Sequence, residues 1–186
     1  MIKKLLNNRS FLVLLFPFSL GILSVLSFQP YNFSIINFVI FPILFLLIVY
    51  VGKKSKSKYR KKPYKINFFY IGLTFSFGFY LSGLYWISYS LTFDASFKFL
   101  IPFALILIPL FLSLFNGIMI LLVGQFLKNN FSSIFLFSAS LAFSDYVRGN
   151  ILSGFPWNVW AYTWSWQTEV LQILNFTGLY AFNILT

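Results

Sequence analysis

The chain has 186 residues, of which 59% are hydrophobic, 23% aromatic and 9% charged, with a mean hydropathy of +0.83. Charge on about a quarter of residues is usual for a soluble domain, so that class is excluded and a membrane protein is predicted. Fourteen Lys and Arg against three Asp and Glu leave a net charge of +11. A nucleic-acid binder of such basicity needs an exposed polar surface to carry it, so no nucleic-acid partner is expected.

Neither Cys nor His occurs. That removes thiol nucleophiles, disulfides, thiolate zinc sites, Ser-His-Asp triads and imidazole ligands together. No metal or cofactor is expected, and the available chemistry is limited to Ser, Thr, Tyr, Lys, Arg and three carboxylates.

Spanning a hydrocarbon core of roughly 30 Å takes about 20 helical residues. Apolar stretches of about that length predict an all-α polytopic membrane protein with about six transmembrane helices, near Phe11 to Phe28, Phe33 to Val51, Phe68 to Ser90, Phe99 to Leu127, Phe131 to Val147 and Val170 to Thr186. Pro17, Pro42, Pro102 and Pro109 fall inside them and predict kinks, which neighbouring helices tolerate in a bilayer. The first stretch follows Lys3, Lys4 and Arg9 as a secretory signal would, but no small-residue cleavage site follows it, so it is read as a retained span.

Twelve cations lie before the first span, between Lys53 and Lys65, and at Lys128, whereas Lys98 and Arg148 lie on the other side with Asp94, Asp145 and Glu169. Short cytoplasmic loops carry the Lys and Arg excess, which predicts a cytoplasmic N-terminus. The same rule explains the run GKKSKSKYRKKPYKIN from Gly52 as a topology determinant rather than a dedicated anionic-lipid site.

In the third span, Gly72, Ser76, Gly83 and Ser90 fall at steps of four, seven and seven, with Trp86 on the same face. Small residues in such a stripe let another helix approach closely; a part in shaping an acyl-chain cavity is the functional alternative. The stretch LAFSDYVRGNILSGFPWNVWAYTWSWQTEV closes the fifth span. Asp145 and Arg148 stand three apart, one helical turn, with the cation toward the C-terminal end that favours it. Gly149, Gly154 and Pro156 then interrupt the helix, and Trp157, Trp160, Trp164 and Trp166 follow within ten residues. A capped helix end leading into an interfacial aromatic belt accounts for this pattern. So does a lipid-facing site built from Phe155, Pro156 and Trp157, with Arg148 as the cation nearest a lipid phosphate.

These residues carry a resemblance. SDYVRGNILSGFPWNVWAY is similar to the E-W-x-R-[GS]-x-x-x-[ST]-G-F-P-W-x-x-x-G-Y signature of bacterial apolipoprotein N-acyltransferases, and GFYLSGLYWISYSL resembles that family's G-x-x-x-G-x-x-W-x-x-x-S stretch. SLGILSVLSFQPYNFSIINF and VLQILNFTGLYAFNILT resemble its opening and following spans, so four landmarks recur in order over essentially the whole chain. Asp145 stands where the family usually has Glu, and Asn150 where a bulky residue is common.

The resemblance implies a multi-pass protein of the bacterial inner membrane that moves an acyl chain from a phospholipid donor to the N-terminal amine of the diacylated cysteine of an apolipoprotein acceptor. In that family a nitrilase-like domain outside the membrane supplies Glu, Lys and a thioester-forming Cys. No such domain and no Cys occurs in these 186 residues. The expectation is therefore an N-terminal transmembrane portion, residues 1–186, ending inside its sixth span, with no catalytic residue of its own and no activity alone. Trp86, Ser90, Asp145, Arg148, Phe155, Pro156 and Trp157 are its candidate lipid-side residues. Two other readings are a stand-alone polytopic lipid-binding or transport protein, and a membrane anchor for a separate nitrilase-like partner. A transporter usually places polar groups near the midplane, and these spans have few.

Overall fold

The computed structural model describes residues 8–58, 65–151 and 154–185, and among them all regular structure is helical. Five longer helices form the body: α1 (Phe11–Ser27), α2 (Asn37–Lys58), α3 (Lys65–Gly83), α4 (Ile101–Val123) and α5 (Phe131–Asn150). Helix α1 opens with a π turn over Phe11–Leu15, just before Pro17, and closes with a 3-10 turn over Val25–Ser27. Proline lacks a donor and crowds the preceding turn, which a wider π turn accommodates. Pro42 and Pro109 lie inside α2 and α4, and both helices continue through them.

Two helical stretches are long and apolar enough to cross a membrane: Ser34–Lys54, with a mean hydropathy of 2.7, and Ala95–Val123, with 2.6. A third results if α3 is joined to the 3-10 segment Tyr85–Thr92 across a bend of 45°, while the apolar helix Phe11–Ser27 is shorter. The count among the described residues is thus two or three, against the six predicted.

The differences have local causes. Helix α3 ends at Gly83 rather than Ser90: Leu84 leaves the helical region at φ -117, and the Asn158 side chain lies against Gly83 at the bend. Helix α5 has a spanning length of 20 residues but carries Asp145, Arg148 and several serines. The expected sixth span is not continuous: Val170 to Leu185 contains α7 (Leu174–Thr177) and α8 (Leu179–Phe182), after α6 (Thr168–Leu171). Gly178, at φ +74, separates the last two, in a backbone region that residues with a Cβ rarely adopt. Of the basic run from Lys53 to Lys65, residues 59–64 lie outside the described residues.

Helix α3 is the centre of the body. Phe68, Ile71, Phe75, Phe79 and Tyr80 are buried along it, packed between α1 and α4. A Cβ on Gly21 of α1 would fall on the backbone of Phe75, and one on Gly78 of α3 would fall on the carbonyl of Phe18, so the two helices cross with backbones in contact. On the other side Gly72 lies against the Asn116 carbonyl of α4, and Asn116 Nδ2 donates to Ser76 Oγ at 2.8 Å. The part of the predicted small-residue stripe that lies on α3 therefore does pack helices, Gly72 and Ser76 against α4 and Gly83 against the 154–166 segment.

Candidate functional site

Helices α1, α3 and α5 finish at the same end of the bundle, where the segment from Gly154 to Trp166 folds across them. Its path is set by Arg148. The guanidinium Nη1 donates to the carbonyls of Phe155 at 2.6 Å and Trp157 at 2.8 Å, and Nη2 donates to Asp145 Oδ1 at 3.0 Å. The Phe155 N–H returns to the Arg148 carbonyl at 3.2 Å. Gly154, at φ +72, makes the reversal that brings Phe155 back, in a conformation suited to glycine.

The pair is deeply buried, Asp145 at 1% and Arg148 at 2% exposure. Asp145 Oδ2 accepts from Asn183 Nδ2 at 2.9 Å, and Asn183 Oδ1 accepts the Ala161 N–H at 2.7 Å. The Arg148 guanidinium also lies 5.2 Å from the centre of the Tyr80 ring of α3, a cation–π contact that favours the charge where water is excluded. Buried charge survives only when paired and hydrogen-bonded, and this network ties α5, α3, the 154–166 segment and the region of α8 into one unit.

The burial corrects one expectation: Arg148 does not present its charge to a lipid phosphate but directs Nη1 to two carbonyls and Nη2 to a carboxylate, while its Nε is buried without a hydrogen-bond partner. It positions Phe155 and Trp157. The aromatic belt is corrected as well. Trp160 is buried among four rings, stacked on Phe79 at 4.5 Å and edge-on to Phe41 at 4.7 Å, with Phe28 at 5.7 Å and Phe75 at 6.4 Å. Trp166 donates from Nε1 to Ser34 Oγ at 2.9 Å. Of the four clustered tryptophans, only Trp157 and Trp166 are exposed.

In front of the network lies an open cleft of about 920 Å³, walled by Trp86, Pro156 and Trp157 on one side and by Leu26, Phe28 and Tyr31 on the other. Trp86, from the 3-10 segment after α3, and Trp157 meet edge-to-face with ring centres 5.5 Å apart, and each is about half exposed. Their indoles stand side by side because Gly83 admits Asn158, at φ +54, against the end of α3. Of the residues singled out from the sequence, Trp86, Pro156 and Trp157 line the cleft, Phe155 packs just behind it, and Asp145 and Arg148 form the buried strut. Ser90 takes no part: it is exposed on the 3-10 segment and donates to the Ile87 carbonyl at 2.7 Å.

Tyr80, Asn158 and Asn183 were not anticipated. Asn183 could have been suspected as an amide near the end of an otherwise apolar stretch, but nothing in the order of residues pairs it with Asp145, 38 positions earlier.

Chemically, the site offers an aromatic, uncharged trough on a rigid backing, suited to apolar chains. The described residues lining it include no nucleophile with a neighbouring base.

Residues 20–186 match the family model described as the apolipoprotein N-acyltransferase N-terminal domain. Curated proteins named apolipoprotein N-acyltransferase are similar to the chain. That of Rhodopseudomonas palustris is 32% identical over 167 residues, 89% of this chain and 30% of the relative. That of Bradyrhizobium diazoefficiens is 34% identical over the same shares, and that of Rickettsia prowazekii is 33% identical over 89% of this chain and 31% of its own length. The chain thus spans about 30% of the length of the curated relatives it matches.

Proposed function

The chain belongs to the apolipoprotein N-acyltransferase N-terminal domain family, and from that membership we propose that it supplies the membrane portion of an enzyme that transfers an acyl chain from a phospholipid to the N-terminal diacylglyceryl-cysteine of an apolipoprotein. In this reading the chain sits in a bacterial inner membrane with its N-terminus cytoplasmic and the tryptophan cleft facing outward. The division of twelve cations against two supports that orientation. The acyl ester of the donor is broken and an amide is formed on a catalytic part of nitrilase type, for which these 186 residues contain no Cys. Alone, the chain is inactive.

The observation that carries the reading is the cleft of about 920 Å³ at Trp86 and Trp157. It lies at the bundle end that the charge distribution assigns to the outer face, where donor chains and an outward catalytic part would meet. The buried Asp145 and Arg148 pair fixes the backbone that carries Trp157.

The test joins this chain to a complete nitrilase-like domain in vesicles holding phospholipid and a diacylated lipopeptide. Trp157→Ala is expected to lower transfer per inserted protein roughly tenfold, the size of one well-packed aromatic contact at a reacting complex. Changing Lys53 and Lys54 to Gln at the opposite end should leave transfer unchanged. Equal normalised rates for Trp157→Ala and the parent would reject the site, and dose-dependent transfer by the chain without any catalytic partner would reject the claim of inactivity.

A further inference from the structure

Between α3 and α4 the chain runs through two 3-10 segments, Tyr85–Thr92 and Ala95–Leu100. The outer surface of this connector is aromatic. Tyr85, Trp86, Tyr89, Phe93, Phe97 and Phe99 are all exposed, Phe93 at 89%. The inner side is closed, because Ile87 and Ser88 face Ala104, Leu105 and Ile108 of α4 across a crevice of only about 10 Å³.

Two helix lengths fix the depth of the connector. Helix α3 rises about 28 Å over its 19 residues and α4 about 34 Å over its 23, so each alone fills a hydrocarbon core of roughly 30 Å. Lys65 and Lys128 stand at their far ends. Both helices therefore leave the core where the connector begins, and its first segment bends away from α3 by 45° rather than extending the span.

The polar side chains of the connector are turned to its own backbone. Ser88, Ser90 and Thr92 each donate to the carbonyl three residues earlier at 2.7 Å, and the Asp94 carboxylate accepts the Ser96 N–H at 2.8 Å. A protein interface carries about one hydrogen bond per 100–200 Å², and these groups are already engaged. What faces outward is rings, with the polar tips of Tyr and Trp and the ammonium of Lys98, exposed between Phe97 and Phe99. Tyr and Trp collect at membrane–water interfaces, and Lys there is drawn to lipid phosphate.

We propose that the connector from Tyr85 to Phe99 lies in the headgroup layer of the bilayer, with its rings set among the upper acyl chains and Lys98 at the phosphates, so that its partner is a phospholipid surface and not a second protein. Trp86 belongs to this segment, and one wall of the tryptophan cleft is thereby seated at headgroup level. The placement stands whether or not that cleft serves acyl transfer.

The experiment uses the full chain in nanodiscs of phosphatidylethanolamine and phosphatidylglycerol. The chain has no cysteine, so one introduced cysteine carries a single nitroxide, whose depth is read by power saturation with oxygen and with a water-soluble nickel chelate. Thr92→Cys and Ala95→Cys are at exposed positions and leave all six rings in place. Leu107→Cys on the exposed face of α4 reports the hydrocarbon, and Asn129→Cys, exposed beside Lys128, reports water. The labels at positions 92 and 95 are expected within about 10 Å of the boundary between headgroups and acyl chains, at readings between those of positions 107 and 129. Changing Phe93 and Phe97 together to Ser should raise chelate access at position 95 to the level at position 129 and leave position 107 unchanged. The single labels alter no ring, so the depth is tested even if the paired variant fails to insert. Chelate access at position 95 equal to that at position 129 in the parent, or access unchanged by the paired substitution, would overturn the proposal. So would a label at position 95 that is open to the chelate in the chain alone and shielded only after a nitrilase-like domain is joined, since the surface would then be a protein contact.

Discussion

The contact of α3 with α1 and α4 and the contact of α2 with α5 are both built from apolar helices, yet the first is closed and the second leaves a groove. At the closed contact, Gly21, Gly72 and Gly78 bring backbones together, and Asn116 and Ser76 bond across it. At the open one, α2 carries no Gly, Ala or Ser from Asn37 to Val51, and Phe41 and Phe45 hold α5 away. Lipid tails are as apolar as leucine, so hydrophobicity does not by itself draw helices together in a bilayer, and close packing of small residues does. Trp160 bridges the two regions, stacking on Phe79 of α3 and meeting Phe41 of α2 edge-on.

The largest expected effect breaks the strut that holds the Trp160 segment over both regions. Asp145→Ala leaves the Arg148 guanidinium buried without its counter-charge, and a loss of about 3–5 kcal/mol is expected in reversible unfolding from bicelles. Asp145→Asn should recover only part of it, because an amide there sets a donor against Asn183 unless Asn183 turns and gives up the Ala161 N–H. A loss below about 1 kcal/mol for Asp145→Ala would show that the pair is dispensable.

Next in size is a change confined to the closed contact. Gly21→Val places side-chain atoms on the Phe75 backbone, which has no rotamer to yield, so about 3 kcal/mol or more should be lost in the same measurement. Adding bulk to the open contact with Ser138→Leu should cost far less, since groove space receives it. Equal losses would contradict the distinction between the two regions.

The smallest effect concerns the polar link within the closed contact. Asn116→Leu removes the bond to Ser76 Oγ but also removes a buried Oδ1 that has no partner. Interhelical hydrogen bonds in membranes average about 0.6 kcal/mol, so the net change should stay within about 1 kcal/mol of zero. A larger loss would mean that the hydrogen bond, rather than glycine packing, closes α3 on α4.

Composition and spacing were enough to read a membrane-embedded helical protein, the helix break after Arg148 and the family. These depend on local features: mean hydropathy, glycine and proline positions, and the SDYVRGNILSGFPW order. The number of spans was less legible, because hydropathy over Phe68 to Ser90 is blind to the bend of 45° at Leu84, where the Asn158 side chain packs against Gly83. The residue set at the site was legible in part. Trp86 and Trp157 were singled out separately, 71 positions apart, and only the fold makes them neighbours.

What the sequence by itself determined is what each residue carries: apolar surface, a basic asymmetry, a carboxylate and a guanidinium one turn apart. Tertiary structure alone decided which way those groups face. Arg148 reads as a surface cation until Phe155, Trp157 and Tyr80 close around it, and Trp160 reads as an interfacial ring until Phe41, Phe75 and Phe79 enclose it. Burial is a property of what packs against a side chain, and for both residues the enclosing partners include α3, which precedes them in the chain by some 70 to 85 positions and meets them only when the bundle is assembled.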